Sequence, residues 1–537
     1  MKYTKYLLLV LNIFFINTIS SQEEFTVEIE PLSISNAPNV HSFSWGETSD
    51  GKWVIIGGRI DGLHQRQPFA AFLESSNNKN VTLIDVINNQ TWSTSLQVLP
   101  ITIYEQLQST NQEFHQRDNT LYIMGGYGYS ASQDEHITYP NLTAIDIDGL
   151  ADAIMNNENI ASFFRQITYQ ELAVTGGQLD LIGDMFLLCG GQFFEGRYNP
   201  IGPNGGTGFV QEYSDEIRKF EIIDDGINLS IENYNAINDP TNLHRRDYNM
   251  VPQIFPNGER GTTMFSGVFQ PNVDLPFLNS VDVTTSNYTV NNNFTQYLSQ
   301  YHSAKVPIYD ATGSLMHTIF FGGMSQYKID ANGNLIQDNN VPFVNTISRV
   351  TRANDGSMTE SKLGIEMPGL LGSGAEFIPI SDSNIYIGNE IVDLNNLPEG
   401  NTLIGYIYGG IDSTQENIFF INDGTQSSAS NQIYKVYINK GTLGIDDTIL
   451  SGDNIFDLKI APNPSNAIFA IDFFVPNSNI LYLKIINLQG KLIEEITLNK
   501  SIGRHKVPLD LSHLSAGEYI VSIESGNYTS QKKIIKE

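Results

Sequence analysis

Short apolar runs that stop on paired glycines recur along the 537-residue chain. WVIIGG ends at Gly58, LYIMGG at Gly126, MFLLCGG at Gly191, TIFFGG at Gly323 and GYIYGG at Gly410, and TTMFSGVF around Gly267 is a degraded copy. Each run follows an extended segment and a tight turn, as in HSFSWGETSDGK before Trp53, TGGQLDLIGD before Met185 and VPIYDATGSL before Met316. The Asp-Gly, Gly-Asp and Thr-Gly pairs supply the positive φ angles of short hairpin connections. Downstream lie further β-branched runs, among them VTLIDVINNQTWSTSL, EIRKFEIID and NQIYKVYINK. Strand, turn, strand closed by Gly-Gly, loop, strand, turn, strand predicts one four-stranded antiparallel sheet per copy, six in all. The spacing varies from 55 residues (Gly267 to Gly322) to 87 (Gly322 to Gly409), so the repeated units carry loops of different lengths.

A double glycine closing the second strand, with an aromatic on a later strand such as Trp92, resembles the kelch-repeat family of β-propellers over about residues 25–440. The resemblance implies an all-β fold, a six-bladed kelch-like β-propeller occupying residues 22–440. The sixth unit stops after its third strand at QIYKVYINK, and residues 25–36 read as a strand standing before the first unit. The N-terminal strand is therefore expected to complete the last blade and remove a free sheet edge.

After a polar linker, residues 441–456, the alternation changes character. IFAIDFFV, LYLKIINL and EYIVSIES, broken by APNPSN, LQGK and SAG, predict a small C-terminal β-sandwich over residues 457–537. This segment resembles the type A sorting domain of the type IX secretion system of some Gram-negative bacteria. The resemblance rests on Pro462, Asn463 and Pro464 at its start, Gly490 in the middle, Gly517 and Tyr519 later, and Lys532 and Lys533 near the end. It implies the type IX secretion machinery as a partner, and a protein that is secreted or held at the outer cell surface. Residues 1–21 fit the matching first step: Lys2 and Lys5, an apolar stretch from Leu7 to Ile16, then Thr18, Ser20 and Ser21 have the layout of a signal peptide. No later stretch is apolar enough to predict a membrane span in the mature chain.

Composition narrows the function. Lys and Arg number 30 against 59 Asp and Glu, a net charge of −29, which disfavours nucleic acid and anionic lipid as partners. From Asp457 onward nine basic residues face eight acidic ones, so the acidity belongs to the repeats. Cys189 is the single cysteine and sits in an apolar run, where it reads as a buried small hydrophobe rather than a reactive thiol.

Motifs for chemistry are missing from the sequence. No doublet is followed by the Gly-Lys-Ser/Thr of a phosphate loop, and no HExxH, GxSxG or Cys/His zinc spacing occurs. DANGN at Asp330 to Asn334 begins like a calcium loop but lacks its glycine and closing glutamate, and is expected to be a hairpin tip. The sequence therefore offers no catalytic residue, no cofactor site and no metal site by motif. Residues just before each first strand and just after each Gly-Gly are expected to gather at one mouth of the ring, because antiparallel neighbours reverse direction. They include Arg59, Tyr127, Glu195, Arg197, His244, Arg245, Arg246 and His302, a set of aromatic, arginine and carboxylate groups suited to sugars or peptide side chains. The cluster LHRRDYN at Leu243 to Asn249 reads either as ligand contact or as a salt-bridged loop. The expected function is a non-catalytic binding module for carbohydrate or an extracellular protein. The alternative is a carbohydrate-active enzyme on the same scaffold: an epimerase, lyase or hydrolase.

Overall fold

A computed structural model describes residues 25–198, 208–298, 301–330, 333–441, 448–449, 456, 458–475, 481–487, 491–498, 500, 503–525 and 528–537. The leader at residues 1–21, most of the linker at 441–456 and Gly490 lie outside the described residues. The fold is all-β, with two short α-helices, Ile101–Leu107 and Ile147–Asn156, among the described residues. Neither helix was expected from the alternation. Ile147–Asn156 is started by the Asp146 side chain, which accepts from Gly149 N at 3.1 Å, and it buries Ile147, Leu150, Ala151, Ala153 and Ile154 on one face.

Six sheets follow in chain order, each built on four antiparallel strands, which in the first five come from one repeat unit. Their first strands are Ser44–Glu47, Thr110–Arg117, Gln178–Ile182, Asn249–Ile254, Ala304–Asp310 and Leu370–Pro379. The second strands, Trp53–Ile56, Thr120–Ser130, Met185–Cys189, Arg260–Phe265, Leu315–Phe321 and Gly400–Ser413, carry or precede the glycine motifs. In the sixth sheet the fourth strand is Phe25–Leu32, paired antiparallel with Ile433–Lys440 from Phe25↔Lys440 to Leu32↔Ile433. The long insertion of the sixth unit does not stay with its own sheet. Its strands Tyr386–Ile387 and Ile391–Asp393 join the fifth, where Val392 runs parallel to Ile308.

The period-2 alternation explains how the sheets pack, since successive side chains face opposite neighbours. Val54 and Ile56 pack with Leu121, Ile123 and Ile145 of the second sheet, while Trp53 and Ile55 pack with Ile378, Tyr408 and Ile433 of the sixth. Equivalent buried clusters join the second sheet to the third, the third to the fourth, the fourth to the fifth and the fifth to the sixth. Cys189 lies free and fully buried between the third and fourth sheets, and burial pushes its thiol pKa up.

The first strands are tied together at their starts by a closed circle of backbone hydrogen bonds. Asn111 N donates to Ser42 O (3.2 Å), Gly176 N to Asn111 O (3.2 Å), Asp247 N to Gly176 O (2.8 Å) and His302 N to Asp247 O (3.0 Å). Gly374 N then donates to His302 O (2.9 Å) and Ser42 N to Gly374 O (2.8 Å), which returns the circle to its first member. The glycine doublets form a second set of ties. Gly58, Gly126, Gly191, Gly323 and Gly410 donate to Ser109, Val174, Arg245, Leu371 and Val40 O, each carbonyl standing just before the next sheet's first strand or, for Leu371, at its start. The last of these joins the sixth sheet to the first. In the degraded fourth copy, Ser266 (φ 55°) and Gly267 (φ 104°) keep the left-handed backbone of the doublets.

Glu360 shows how the sheets handle a buried carboxyl. It lies in Met358–Glu366, 1% exposed, and accepts from Tyr297 N (2.7 Å) and Leu298 N (3.1 Å). Burial pushes its pKa from 4.5 up to about 8, so the folded state holds this proton to a higher pH than the unfolded chain does. The stability linked to that proton is fully present below 4.5 and is lost as pH rises through about 8. Glu360→Gln should therefore lose less stability than the wild type between about pH 5 and about pH 9, by on the order of 2 kcal/mol in denaturant titrations. Parallel pH profiles for the two proteins would rule out this origin.

At the C-terminus, a three-stranded sheet (Lys459–Ala461, Ile468–Val475, Gly503–Asp510) and a four-stranded sheet (Leu481–Asn487, Leu492–Leu498, Gly517–Ser525, Tyr528–Lys536) share one core containing Phe469, Ile471, Leu483, Val521, Ile523 and Ile534. Asn463 fastens its start to its end, donating to Lys533 O (2.9 Å) and accepting from Ile535 N (2.8 Å). Tyr519 donates from its hydroxyl to Ser515 O at 2.9 Å. Lys532 and Lys533 are exposed on the final strand.

Candidate functional site

The first strands, where the six sheets meet, enclose a cavity of about 620 Å³. Its wall is made by the middles and ends of those strands and by the turns that follow them, the mouth away from the glycine doublets. Trp45, Phe114, Phe377 and Tyr386 give it apolar surface, and His115, Asp180, Lys305, Glu376 and Glu390 give it charge. Trp45 and Phe114, both half-buried, meet edge to face with centroids 6.2 Å apart. Side chains of each first strand alternate between its two neighbours. Thus Gln116 binds Glu47 of the first sheet through both N (2.7 Å) and O (2.8 Å), whereas Glu113 accepts from Gly177 N of the third at 2.9 Å.

Two charged clusters stand on this wall. In one, Arg260 Nη2 lies 2.5 Å from Glu390 Oε2 and 3.3 Å from Asp180 Oδ1, and His115 Nε2 is 3.9 Å from Glu390 Oε1. Burial, reinforced by the Asp180 charge and opposed by Arg260, lifts Glu390 to about 7. Burial lowers the pKa of His115, so its imidazole is neutral at neutral pH. Glu390 reaches the cavity only because the sixth unit's insertion is drawn against the fifth sheet. His115, Asp180 and Glu390 have ligand atoms within 4.8 Å of one another, the spacing of a candidate cation site. The Arg260 guanidinium already pairs with both carboxylates there and sets a positive charge beside the would-be ligands, which disfavours a metal ion.

In the other cluster His302 Nε2 is 2.8 Å from Glu376 Oε1 and 3.3 Å from Lys305 Nζ. Burial lowers the pKa of Lys305. Burial also works to raise that of Glu376, but the Lys305 and His302 charges prevail and leave it lowered. Of the residues expected from sequence to bind ligand, His302 is thereby connected to the cavity wall.

The others lie around the doublet mouth and have partners within the fold. Arg59 is 2% exposed, pairs with Asp61 (Nη2 to Oδ2 2.5 Å), donates to Asn77 Oδ1 (3.0 Å) and lies over Phe72. Tyr127 is buried and donates to Gly196 O at 2.8 Å. His244 is bonded to Asp215 Oδ1 (2.7 Å) and stacks on Tyr213. Arg245 is fully buried and donates to the carbonyls of Asn242, Ser266 and Asn279. Arg246 pairs with Asp247 and reaches Tyr213 Oη at 3.1 Å. Glu195, exposed, and Arg197, half-buried, belong to the hairpin region that follows Gly191. These loops fold onto one another. His64 stacks on Phe72 (4.7 Å) and meets Tyr198 edge-on (4.7 Å), and burial pulls it down to about 4. The LHRRDYN cluster thus packs and pairs within the fold. DANGN closes the hairpin of Tyr327–Ile329 with Leu335–Gln337, Asn334 N donating to Asp330 Oδ1 at 2.8 Å.

Sequence reasoning missed Trp45, His115, Asp180, Lys305, Glu376 and Glu390. A signal existed in the first strands, where QEFHQ (112–116) and QLDL (178–181) place polar groups inside runs that are otherwise buried.

Among known proteins, no curated protein matches the chain. A solved structure titled "Structure of YjhT" is similar at 13% identity and a TM-score of 0.43, covering 78% of this chain and 99% of that one. Residues 459–537 match the family described as "Secretion system C-terminal sorting domain". That domain marks proteins exported through type IX secretion and attached to the outer cell surface, and this protein carries it.

Proposed function

We propose that residues 22–440 form a six-bladed, kelch-like β-propeller that binds carbohydrate in its central cavity at the cell surface, without chemical turnover. The circle of six hydrogen bonds through Ser42, Asn111, Gly176, Asp247, His302 and Gly374 supports the ring, as does the buried cluster joining the sixth sheet to the first. The observation that carries the binding reading is the cavity itself. Its volume of about 620 Å³ suits a small saccharide, and it sets half-exposed Trp45 and Phe114 beside convergent carboxylates. Aromatic faces pack against the C–H surface of a sugar while carboxylates accept its hydroxyls. Glycan-array screening of the secreted protein, followed by calorimetry, should find a saccharide whose affinity falls at least ~10-fold in Trp45→Ala, as expected when a buried aromatic contact worth about 1.4 kcal/mol or more is removed. Binding of proteins alone, or saccharide binding indifferent to Trp45, would defeat the reading.

The enzyme reading draws support from Glu390, a carboxyl lifted to about 7 beside His115 in the same cavity, the environment of a proton-transferring group. Turnover of the bound saccharide, abolished in Glu390→Gln with binding kept, would favour it over simple binding.

A further inference from the structure

Resting on the carbohydrate reading of the cavity, we infer that its ligand is a cationic saccharide, an amino sugar with free amines, rather than an acidic or fully neutral one. Eight carboxylate residues line the cavity against one lysine, a ratio well beyond the 59 to 30 of the whole chain. The nearby cations are already used: Arg260 by Asp180 and Glu390, Lys305 by Glu376. Four carboxylates on the open side, Glu47, Asp118, Asp148 and Asp382, have no ion pair among the described residues. Their neighbours are neutral groups, with Ser381 Oγ donating to Glu47 at 2.6 Å and Ser49 N to Asp148 at 2.8 Å.

Glu113, on the cavity wall and 1% exposed, accepts from Gly177 N with one carboxyl oxygen and turns the other toward Gly125, and burial raises its pKa well above the usual carboxyl range. The negative charge of the site is therefore carried by the four carboxylates on the open side. His115 is neutral and does not oppose a cation, and the carboxylate-lined mouth focuses a negative potential on the site. A sugar acid entering here would meet like charge from three of the six repeat units: Glu47 on the first sheet, Asp118 in the turn of the second and Asp148 on the helix Ile147–Asn156, and Asp382 in the loop after the sixth sheet's first strand.

The test is calorimetric titration of the full secreted chain with three matched sets of short saccharides: glucosamine oligomers, their N-acetylated counterparts and uronic acid oligomers. Near neutral pH and low salt, the glucosamine set should bind at least ~10-fold more tightly than the N-acetylated set and lose that margin at high salt. Glu47→Gln combined with Asp382→Asn should erase the margin while N-acetylated saccharides still bind. Equal affinity for all three sets, tighter binding of the uronic acids, or a margin untouched by the double variant overturns the charge inference and leaves the carbohydrate reading standing. Failure of every saccharide to bind, including under conditions where a lysine-rich peptide does bind, overturns both.

Discussion

Gly125→Ala should destabilise the repeat region by about 4 kcal/mol or more, the range reached when a substitution combines backbone strain with a buried clash. The glycine has φ +60°, and a Cβ there would stand 2.0 Å from Val174 O and 2.6 Å from Glu113 Oε2. That carbonyl also accepts from Gly126 N at 2.9 Å, so it cannot withdraw without breaking the tie between the second and third sheets. Gly183→Ala is the control. It has a similar φ, +63°, at the Ile182 to Met185 turn, with nothing within 4 Å of a Cβ. The left-handed backbone alone then costs about 1 kcal/mol. Denaturant midpoints of the two variants separate the effects. If both cost the same, glycine serves only its torsion angle at the doublets, and the close approach between sheets is not what requires it.

Deleting residues 459–537 should leave the repeat region folded inside the cell and strip it from the cell surface, read by surface immunoblot and protease accessibility. The expectation follows from the sorting domain, which directs export through type IX secretion. The domain has its own two-sheet core, so its removal takes no buried side chain from the six-sheet region's clusters. A milder variant, Asn463→Ala, removes the bonds to Lys533 O and Ile535 N that join the start of the domain to its last strand. Its expected cost is about 1–3 kcal/mol to that domain with partial loss of export. Undiminished arrival of the deleted chain at the surface would refute the sorting assignment.

Much of the architecture was legible because glycine leaves an unambiguous trace. Three doublets and Ser266-Gly267 mark the ends of second strands, whereas Thr120–Ser130 and Gly400–Ser413 run on through Gly-Gly to pair with an added strand, and the backbone at the motif is left-handed in every copy. The site was not legible in the same way. Gly-Gly launches the longest loops, so the doublet mouth drew attention, but long loops bury themselves: His64, Phe72, Tyr127, Tyr198 and Phe419 stack together there. The cavity at the other mouth is built from a few residues on each of six separate strands and on the turns beyond them, whose convergence depends on the sheets meeting rather than on any local spacing. Glu390 is the clearest case. Its segment belongs to the sixth unit in sequence, yet Val392 pairs with Ile308 of the fifth sheet and Glu390 pairs with Arg260 of the fourth. The helix Ile147–Asn156 escaped because IDIDG continues a strand-like alternation straight into its first turn.

The most direct test of the account is a crystal structure of the secreted protein soaked with its tightest-binding saccharide. The account predicts six four-stranded sheets about one axis, with sugar density against Trp45 and Phe114 and within hydrogen-bonding distance of the cavity carboxylates. A different number of sheets around the axis, or sugar seated among Arg59, Arg197 and His244 at the doublet mouth, would contradict it.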